Sequence, residues 1–188
     1  MGKRAVAVEE TRRRILDAAL DEYAATGIAD ASMQSIARRA DVAAGTVLYH
    51  FANPDDLADA VLAASVERMA VPDPETVSAA GDLPDRIRVM TSELFRIYAH
   101  TTSEYLAWTK SQGHPAMARV QGWYNDRYAA LLVAALGATS RDSRALQVVS
   151  ALVEPGFRAN LVQRGLTDDQ AVEETVALVC AWLADRSA

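Results

Sequence analysis

Residues 32–51 read SMQSIARRADVAAGTVLYHF, and this stretch predicts two short helices joined by a tight turn. Ser32 is a suitable N-cap directly before the apolar positions of the first helix. Asp41 follows that helix, and aspartate tolerates the left-handed backbone of a turn better than most residues. The second helix spans about Ala43 to Phe51 and is rich in small and hydrogen-bonding residues. Preceded by a third helix, the pair describes a helix-turn-helix.

The flanking segments also predict helices. A first helix runs from about Thr11 to Thr26 and stops before Gly27, which suits a left-handed C-terminal cap. An Asn-Pro pair starts a fourth helix, at about 53–70, which is apolar on two sides and should be buried on both. Prolines and a glycine within residues 71–84 then mark a boundary loop.

Beyond this loop, apolar residues recur every three or four positions in four or five longer helices. One of them, from about Asp142 to Gln163, contains Pro155-Gly156, which should kink it or force a bulge. No sustained period-two alternation appears. The sequence therefore predicts an all-α fold of about nine helices, with a three-helix domain at 1–53, a bridging helix at 53–70 and a larger domain at 71–188.

Composition limits the classes of function. The 188 residues carry a net charge of −6, which alone argues against nucleic acid, yet residues 1–53 hold seven basic and seven acidic residues. Basic charge gathers at Lys3, Arg4 and Arg12 to Arg14. The longest apolar stretch is too short to cross a bilayer and the N-terminus lacks the apolar core of a signal peptide, which predicts a cytoplasmic protein without a membrane partner. No nucleotide, metal or hydrolase motif appears, so neither an enzyme nor a cofactor is expected.

The spacing of these features from residue 11 to residue 57 resembles the DNA-binding domain of the TetR family of bacterial transcriptional repressors. Three segments carry the resemblance: ILDAALDEYAATG at 15–27, SMQSIARRADV at 32–42 and AGTVLYHF at 44–51. It implies a ligand-responsive regulator, most simply a repressor, that binds a palindromic operator as a homodimer and is released by a small, mostly apolar molecule. It also implies that residues 71–188 bind the effector and dimerise.

A helix that enters the major groove needs small residues near the bases and hydroxyl or aromatic donors near the phosphates. The second helix of the motif supplies both types. By resemblance, Ser32 lies near a phosphate and Gln34 reaches a base edge, where an amide pairs naturally with adenine. The predicted DNA contacts are Ser32, Gln34, Ala43, Ala44, Thr46, Tyr49, His50, Arg13 and Arg14.

Four residues depart from the family's usual pattern and reduce the expected phosphate contacts: Asp41, Ala43, Leu48 and Pro54. Asp41 replaces the usual glycine of the turn and brings an acid near the phosphates. Leu48 stands where an aromatic residue often contacts the DNA backbone. A second hypothesis therefore stays open, in which the chain is a helical protein-interaction module that has lost DNA binding.

Aromatic and methionine side chains of the middle helices predict a mostly apolar effector pocket. Its predicted lining is Met90, Leu94, Trp108, Met117, Tyr124 and Asn160. Effector binding between the bridging helix and the larger domain is expected to move the bridging helix and change the separation of the two DNA-reading helices.

The last two apolar stripes predict the dimer interface, as a four-helix bundle formed with a second copy. These stripes consist of Leu146, Val149, Val153, Phe157, Val172, Val176, Val179 and Leu183. The alternative is that they lie inside one subunit.

Overall fold

A computed structural model describes the backbone of residues 3–186 and the side chains of residues 5–186 apart from residue 102. Over that part, the chain forms eleven α-helices, one 3-10 helix (Gly137–Arg141) and no strand, which confirms the all-α prediction. The α-helices are α1 (Lys3–Thr26), α2 (Met33–Arg39), α3 (Ala44–His50), α4 (Pro54–Met69), α5 (Pro74–Ser78), α6 (Leu83–His100), α7 (Thr102–Lys110), α8 (Pro115–Leu136), α9 (Ser143–Leu152), α10 (Pro155–Gln163) and α11 (Asp168–Asp185).

The helices outnumber the expected nine for local reasons. The predicted boundary loop contains α5, because Asp73 caps it by accepting a hydrogen bond from the Glu75 amide at 2.9 Å. The prediction of one continuous helix over residues 142–163 is wrong, because α9 ends at Leu152 and α10 starts at Pro155. Proline has no amide hydrogen to donate within a helix but fits the first helical position, so the chain restarts there instead of kinking.

The helix α1 begins eight residues earlier than predicted, at Lys3, because nothing in the segment before Thr11 breaks a helix. Its other end agrees with the prediction. Gly27 has a φ of +87° and its amide donates to the Tyr23 carbonyl at 2.8 Å, which closes the helix.

The chain forms two compact units, each built from two stretches of sequence. The first unit contains the residues up to Met69 together with Thr101–Trp123. In it, α1 packs against α2, α4 and α7. The segment 101–123, which the sequence assigns to the larger domain, therefore completes the unit that holds the helix-turn-helix. Its fully buried large side chains include Ile15, Ile36, Val47, Leu57 and Val61.

The second unit contains Ala70–His100 and the chain from Tyr124 onward. Here α6 packs against α5, α10 and α11, and α11 also packs against α9 and α10. Phe95, Leu131 and Leu136 are among its fully buried side chains.

The core of the second unit corrects the predicted dimer interface. Six of the eight residues assigned to that interface expose at most 8% of their surface within a single chain: Val149, Val153, Val172, Val176, Val179 and Leu183. Leu146 and Phe157 are partly buried and pack against the same cluster. A side chain already enclosed by its own chain has little or no surface left for a partner, so these six form a core within one subunit.

Candidate nucleic-acid interface

The helix α2 is set by a capping box at its N-terminus. The Ser32 hydroxyl accepts a hydrogen bond from the Ser35 amide at 3.0 Å, and the Ser32 amide donates to the Ser35 hydroxyl at 3.2 Å. Ile36 and Ala37 are buried, so Gln34 lies on the exposed side of the first turn. The amide predicted to meet a base edge is thus accessible, while the Ser32 hydroxyl already serves the helix.

The turn between α2 and α3 uses a left-handed residue without a glycine. Asp41 has a φ of +53°, its amide donates to the Arg38 carbonyl at 3.3 Å, and the Val42 amide donates to the Ala37 carbonyl at 3.0 Å. These two bonds form a Schellman motif with Asp41 at the left-handed position. The turn has the geometry of the motif even though its usual glycine is absent.

Arg14 clamps this turn from α1. Its guanidinium donates to the carbonyl oxygens of Ala40 at 2.5 Å and Asp41 at 3.1 Å. A cation beside the last carbonyls of a helix also opposes the negative end of the helix dipole. Arg14 therefore stabilises the turn. The sequence did not reveal this role, because the residues that Arg14 contacts lie 26 and 27 positions away along the chain.

We expect Asp41→Gly to raise the free energy of unfolding by about 0.5–1 kcal/mol, because glycine adopts a positive φ without the steric penalty of a Cβ. Urea unfolding followed by circular dichroism measures the change. Asp30→Gly is the matched control, since Asp30 is also an exposed aspartate near a turn but has a negative φ. A loss of stability in both variants would show that the turn carries no strain.

The other basic residues near the N-terminus divide by environment. Arg13 donates to Glu10 at 2.7 Å in an exposed ion pair, which a phosphate can replace at little cost. Arg12 lies over the Phe51 ring, with its guanidinium carbon 5.4 Å from the ring centroid. The side chains of Lys3 and Arg4 lie outside those that the structure describes.

A further contact holds α2 on α1. Arg39 donates through Nε and a terminal nitrogen to the same Glu22 oxygen, at 3.1 and 2.9 Å. Hydrogen bonds from Ser35 and from Arg39 lower the pKa of the Glu22 carboxyl. Capping box, clamp and ion pair together fix the orientation of the motif.

The helix α3 is anchored on one side and open on the other. Val47 is fully buried and Phe51, directly after the helix, is nearly so. At about 100° per residue, Gly45 and Tyr49 lie opposite Val47. Tyr49 is 78% exposed, the highest value among the large apolar side chains the structure describes, and its ring meets His50 edge to face at 5.3 Å. The structure thus presents a short helix with an accessible phenol and an open backbone.

The DNA contacts predicted from sequence lie on three consecutive helices of the first unit. Ala43, Ala44 and Tyr49 are exposed, whereas Thr46 and His50 are partly buried. Ala43 begins α3 as its N-cap and makes no side-chain cap bond, as expected for alanine. Leu48 stands where the family often has an aromatic residue, and its side chain is 53% exposed.

The six residues predicted to line an effector pocket are divided between the two units. Met90 and Leu94 are enclosed in the core of the second unit. Tyr124 lies in the same unit, with its hydroxyl 3.1 Å from that of Tyr98. Asn160 is exposed and donates to the Gly156 carbonyl at 2.9 Å.

Trp108 and Met117 line a cavity inside the first unit. Its volume is about 20 Å³, which is space for about one water molecule. The wall residues come from α1, the turn that follows it, α4, α7 and α8: Leu20, Tyr23, Ile28, Val61, Leu62, Ser65, Met69, Glu104, Ala107, Trp108, Met117 and Val120.

One charged side chain reaches this apolar wall. Glu104 is buried, and its carboxylate lies 3.3 Å from Nε of Arg68, which also pairs with Asp17 at 2.8 Å. These three residues join α7, α4 and α1. Sequence reasoning missed them, because no local signal links positions 17, 68 and 104.

No described helix is both long and apolar enough to cross a membrane. Among the described side chains, no three His, Cys, Asp or Glu residues gather as a metal site.

Comparison with known proteins agrees with this geometry. Residues 15–61 match the profile described as "Bacterial regulatory proteins, tetR family". The HTH-type transcriptional regulator SrpR of Pseudomonas putida is 48% identical over 61 residues, covering 32% of this chain and 29% of SrpR. The HTH-type transcriptional regulator BetI of Burkholderia mallei is 27% identical over 149 residues, covering 77% of this chain and 76% of BetI. This chain therefore aligns with under a third of SrpR.

Among solved structures, a TetR-like transcriptional regulator from Rhodococcus sp. RHA1 matches with a TM-score of 0.68 at 18% identity. The match covers 93% of this chain and 96% of that one. At this identity, the likeness concerns the fold.

Proposed function

We propose that this chain, whose residues 15–61 match the profile of the TetR family of bacterial regulatory proteins, is a ligand-responsive transcriptional repressor of that family. It binds a palindromic operator as a homodimer, and a small, mostly apolar molecule releases it. The observation that carries the proposal is α3, whose buried Val47 fixes the helix while Tyr49 stands open on its outward side.

The exposed side of the helix-turn-helix contacts the DNA. Gln34 contacts a base edge, and Tyr49 donates its hydroxyl to a phosphate. Arg13 adds a phosphate contact once Glu10 is displaced. Arg14 instead holds the turn in place through its two carbonyl contacts. The further contacts are Ser32, Ala43, Ala44, Thr46 and His50.

Dimerisation follows from the length of the reading helix. Seven residues contact too few base pairs for specificity, so two copies are needed on a two-fold operator. We place the interface on the outward side of α11, where Ala177, Leu178 and Ala181 are exposed apolar neighbours at helical spacing. Leu178 is 48% exposed, and small residues on either side allow a partner helix to approach closely.

Leu178→Glu is expected to convert the dimer into a monomer, because two carboxylates would be buried against each other across the two-fold axis. Sedimentation velocity at micromolar protein gives the mass directly. Val133→Glu is the control, since Val133 is 50% exposed in the same unit but lies on α8. A wild-type chain that sediments as a monomer, or a Leu178→Glu variant that stays dimeric, contradicts this interface.

The cavity of the first unit supports an effector that acts directly on the reading helices. Its wall includes α1 and α4, and α1 packs against α2. The present volume is far below the roughly 300 Å³ of a small-molecule site, so an effector must part these helices to enter. A ligand that binds only the parted state shifts the protein away from the DNA-binding one.

The test is selection of duplexes from a random-sequence pool at low salt by the folded protein. The expected result is enrichment of a palindrome, bound by the wild type and lost in a Thr46→Ala/Tyr49→Ala double variant. If the folded wild type enriches no sequence, the repressor proposal is overturned and the helical interaction module is favoured instead.

A further inference from the structure

We propose that α3 reads the methyl groups of thymine through an apolar flank formed by Ala44 and Leu48. This inference rests on the proposed DNA binding and adds to it the base that the helix selects. It assigns a specificity role to Leu48, a residue that sequence comparison marks only as a lost phosphate contact.

The two flanks of α3 differ in chemistry. With Val47 inward, Ala44 and Leu48 lie four residues apart on one flank, while Thr46 and His50 lie on the other. The apolar flank is the exposed one, since Ala44 is exposed and Leu48 is 53% exposed. Thr46 and His50 are partly buried. Of its two flanks, the helix therefore exposes the hydrocarbon one more than the hydrogen-bonding one.

Only one group on the major-groove edges of the bases is apolar. Thymine carries a C5 methyl there, whereas cytosine, guanine and adenine present amino hydrogens, N7 or O6. A leucine set over those polar groups would remove water from them without replacing its hydrogen bonds, which is unfavourable. The same leucine over a thymine methyl buries hydrocarbon on both sides. The apolar flank thus selects thymine and opposes cytosine.

The neighbouring residues keep this flank at the base edges. Gly45 has no side chain to hold the helix away from the groove, and a Cβ built there would meet no atom within 4 Å. Tyr49, next to Leu48, is free of the core and long enough to reach the sugar-phosphate chain while Leu48 stays at the bases.

The probe is the duplex enriched by the wild-type protein, resynthesised with deoxyuridine in place of thymidine at one symmetric pair of positions at a time. Deoxyuridine removes the methyl and keeps the base pair. Each buried methyl is worth about fourfold in affinity, so a contacted symmetric pair should lose about fifteenfold. We expect this loss at one or two pairs and no change at the others.

Two protein variants separate base reading from a general role of the helix. Leu48→Ala should bind the thymidine duplex more weakly and should lose the affinity difference between thymidine and deoxyuridine at the pair of positions that Leu48 contacts. Tyr49→Phe, altered at the adjacent position, should retain the full difference between the duplexes. Far-UV circular dichroism confirms that both variants are folded.

The outcomes distinguish this inference from the proposed function. Enrichment of a palindrome whose affinity does not change with deoxyuridine overturns methyl reading and leaves the repressor intact. A Leu48→Ala variant that loses the same factor on both duplexes also overturns it, because Leu48 would then act on the helix and not on the methyl. Failure to enrich any duplex overturns the proposed function itself, and Leu48 would then be a surface for a protein partner.

Discussion

Gly27→Ala is expected to lower the free energy of unfolding of the first unit by about 3 kcal/mol, the sum of a left-handed alanine and a steric clash. Gly27 has a φ of +87°, and a Cβ added there would lie 2.8 Å from the carbonyl oxygen of Lys110. That oxygen belongs to the backbone, so it cannot move aside as the end of a flexible side chain does. Urea unfolding followed by tryptophan fluorescence measures the loss, because Trp108 and Trp123 both belong to this unit.

The chain supplies a close control for this prediction. Gly113 lies in the same unit with a φ of +86°, but a Cβ added there would meet no atom within 4 Å. Gly113→Ala should therefore lower the free energy of unfolding by only about 1 kcal/mol, the penalty for an alanine in the left-handed conformation. The difference between the two variants isolates the close approach of Gly27 to α7. Equal losses would mean that the end of α1 and the end of α7 do not pack tightly.

Tyr49→Ala is expected to weaken operator binding about a hundredfold without changing the stability of the fold, since each of two subunits loses one phosphate hydrogen bond and its packing. With 78% of Tyr49 exposed, the core does not depend on it. Because the lost group is neutral, the slope of log affinity against log salt concentration should stay the same. Fluorescence anisotropy on the enriched duplex over a series of salt concentrations measures both quantities.

Tyr105→Ala and Arg13→Ala serve as the two comparisons. Tyr105 is 53% exposed on α7, outside the helix-turn-helix, so its removal should leave DNA affinity unchanged. Arg13→Ala should reduce the steepness of the salt dependence by about two, one ion per subunit. If Tyr49→Ala flattened the salt dependence, or if Tyr105→Ala weakened binding as much, Tyr49 would not be the contact proposed here.

Local signals explain why much of the first unit was predictable. Ser32 as a cap, Gly27 as a stop and Asp41 in a turn each act within a few residues, and each is where the sequence places it. The capping residues therefore predicted the motif before any tertiary contact was known.

Contacts between distant residues explain what the sequence missed. Arg14 meets the turn carbonyls across 26 residues, and Arg68 meets Glu104 across 36, and neither pair has a sequence signature. Periodicity showed that α9 and α11 have apolar faces, but it does not tell whether such a face meets its own chain or a second copy. Residues predicted for the dimer interface therefore lie in the core of the second unit.

The packing of α7 against α1 limits how far the DNA-reading part can be separated from the rest. A fragment ending at Met69 would lose Ala107, Trp108 and Met117 from its interior and expose the apolar side of α1 to water. Such a fragment is expected to behave as a loose, aggregation-prone chain. A hybrid regulator that takes its DNA-binding part from this chain must therefore include residues 101–123 as well. The transferable part is discontinuous in the gene.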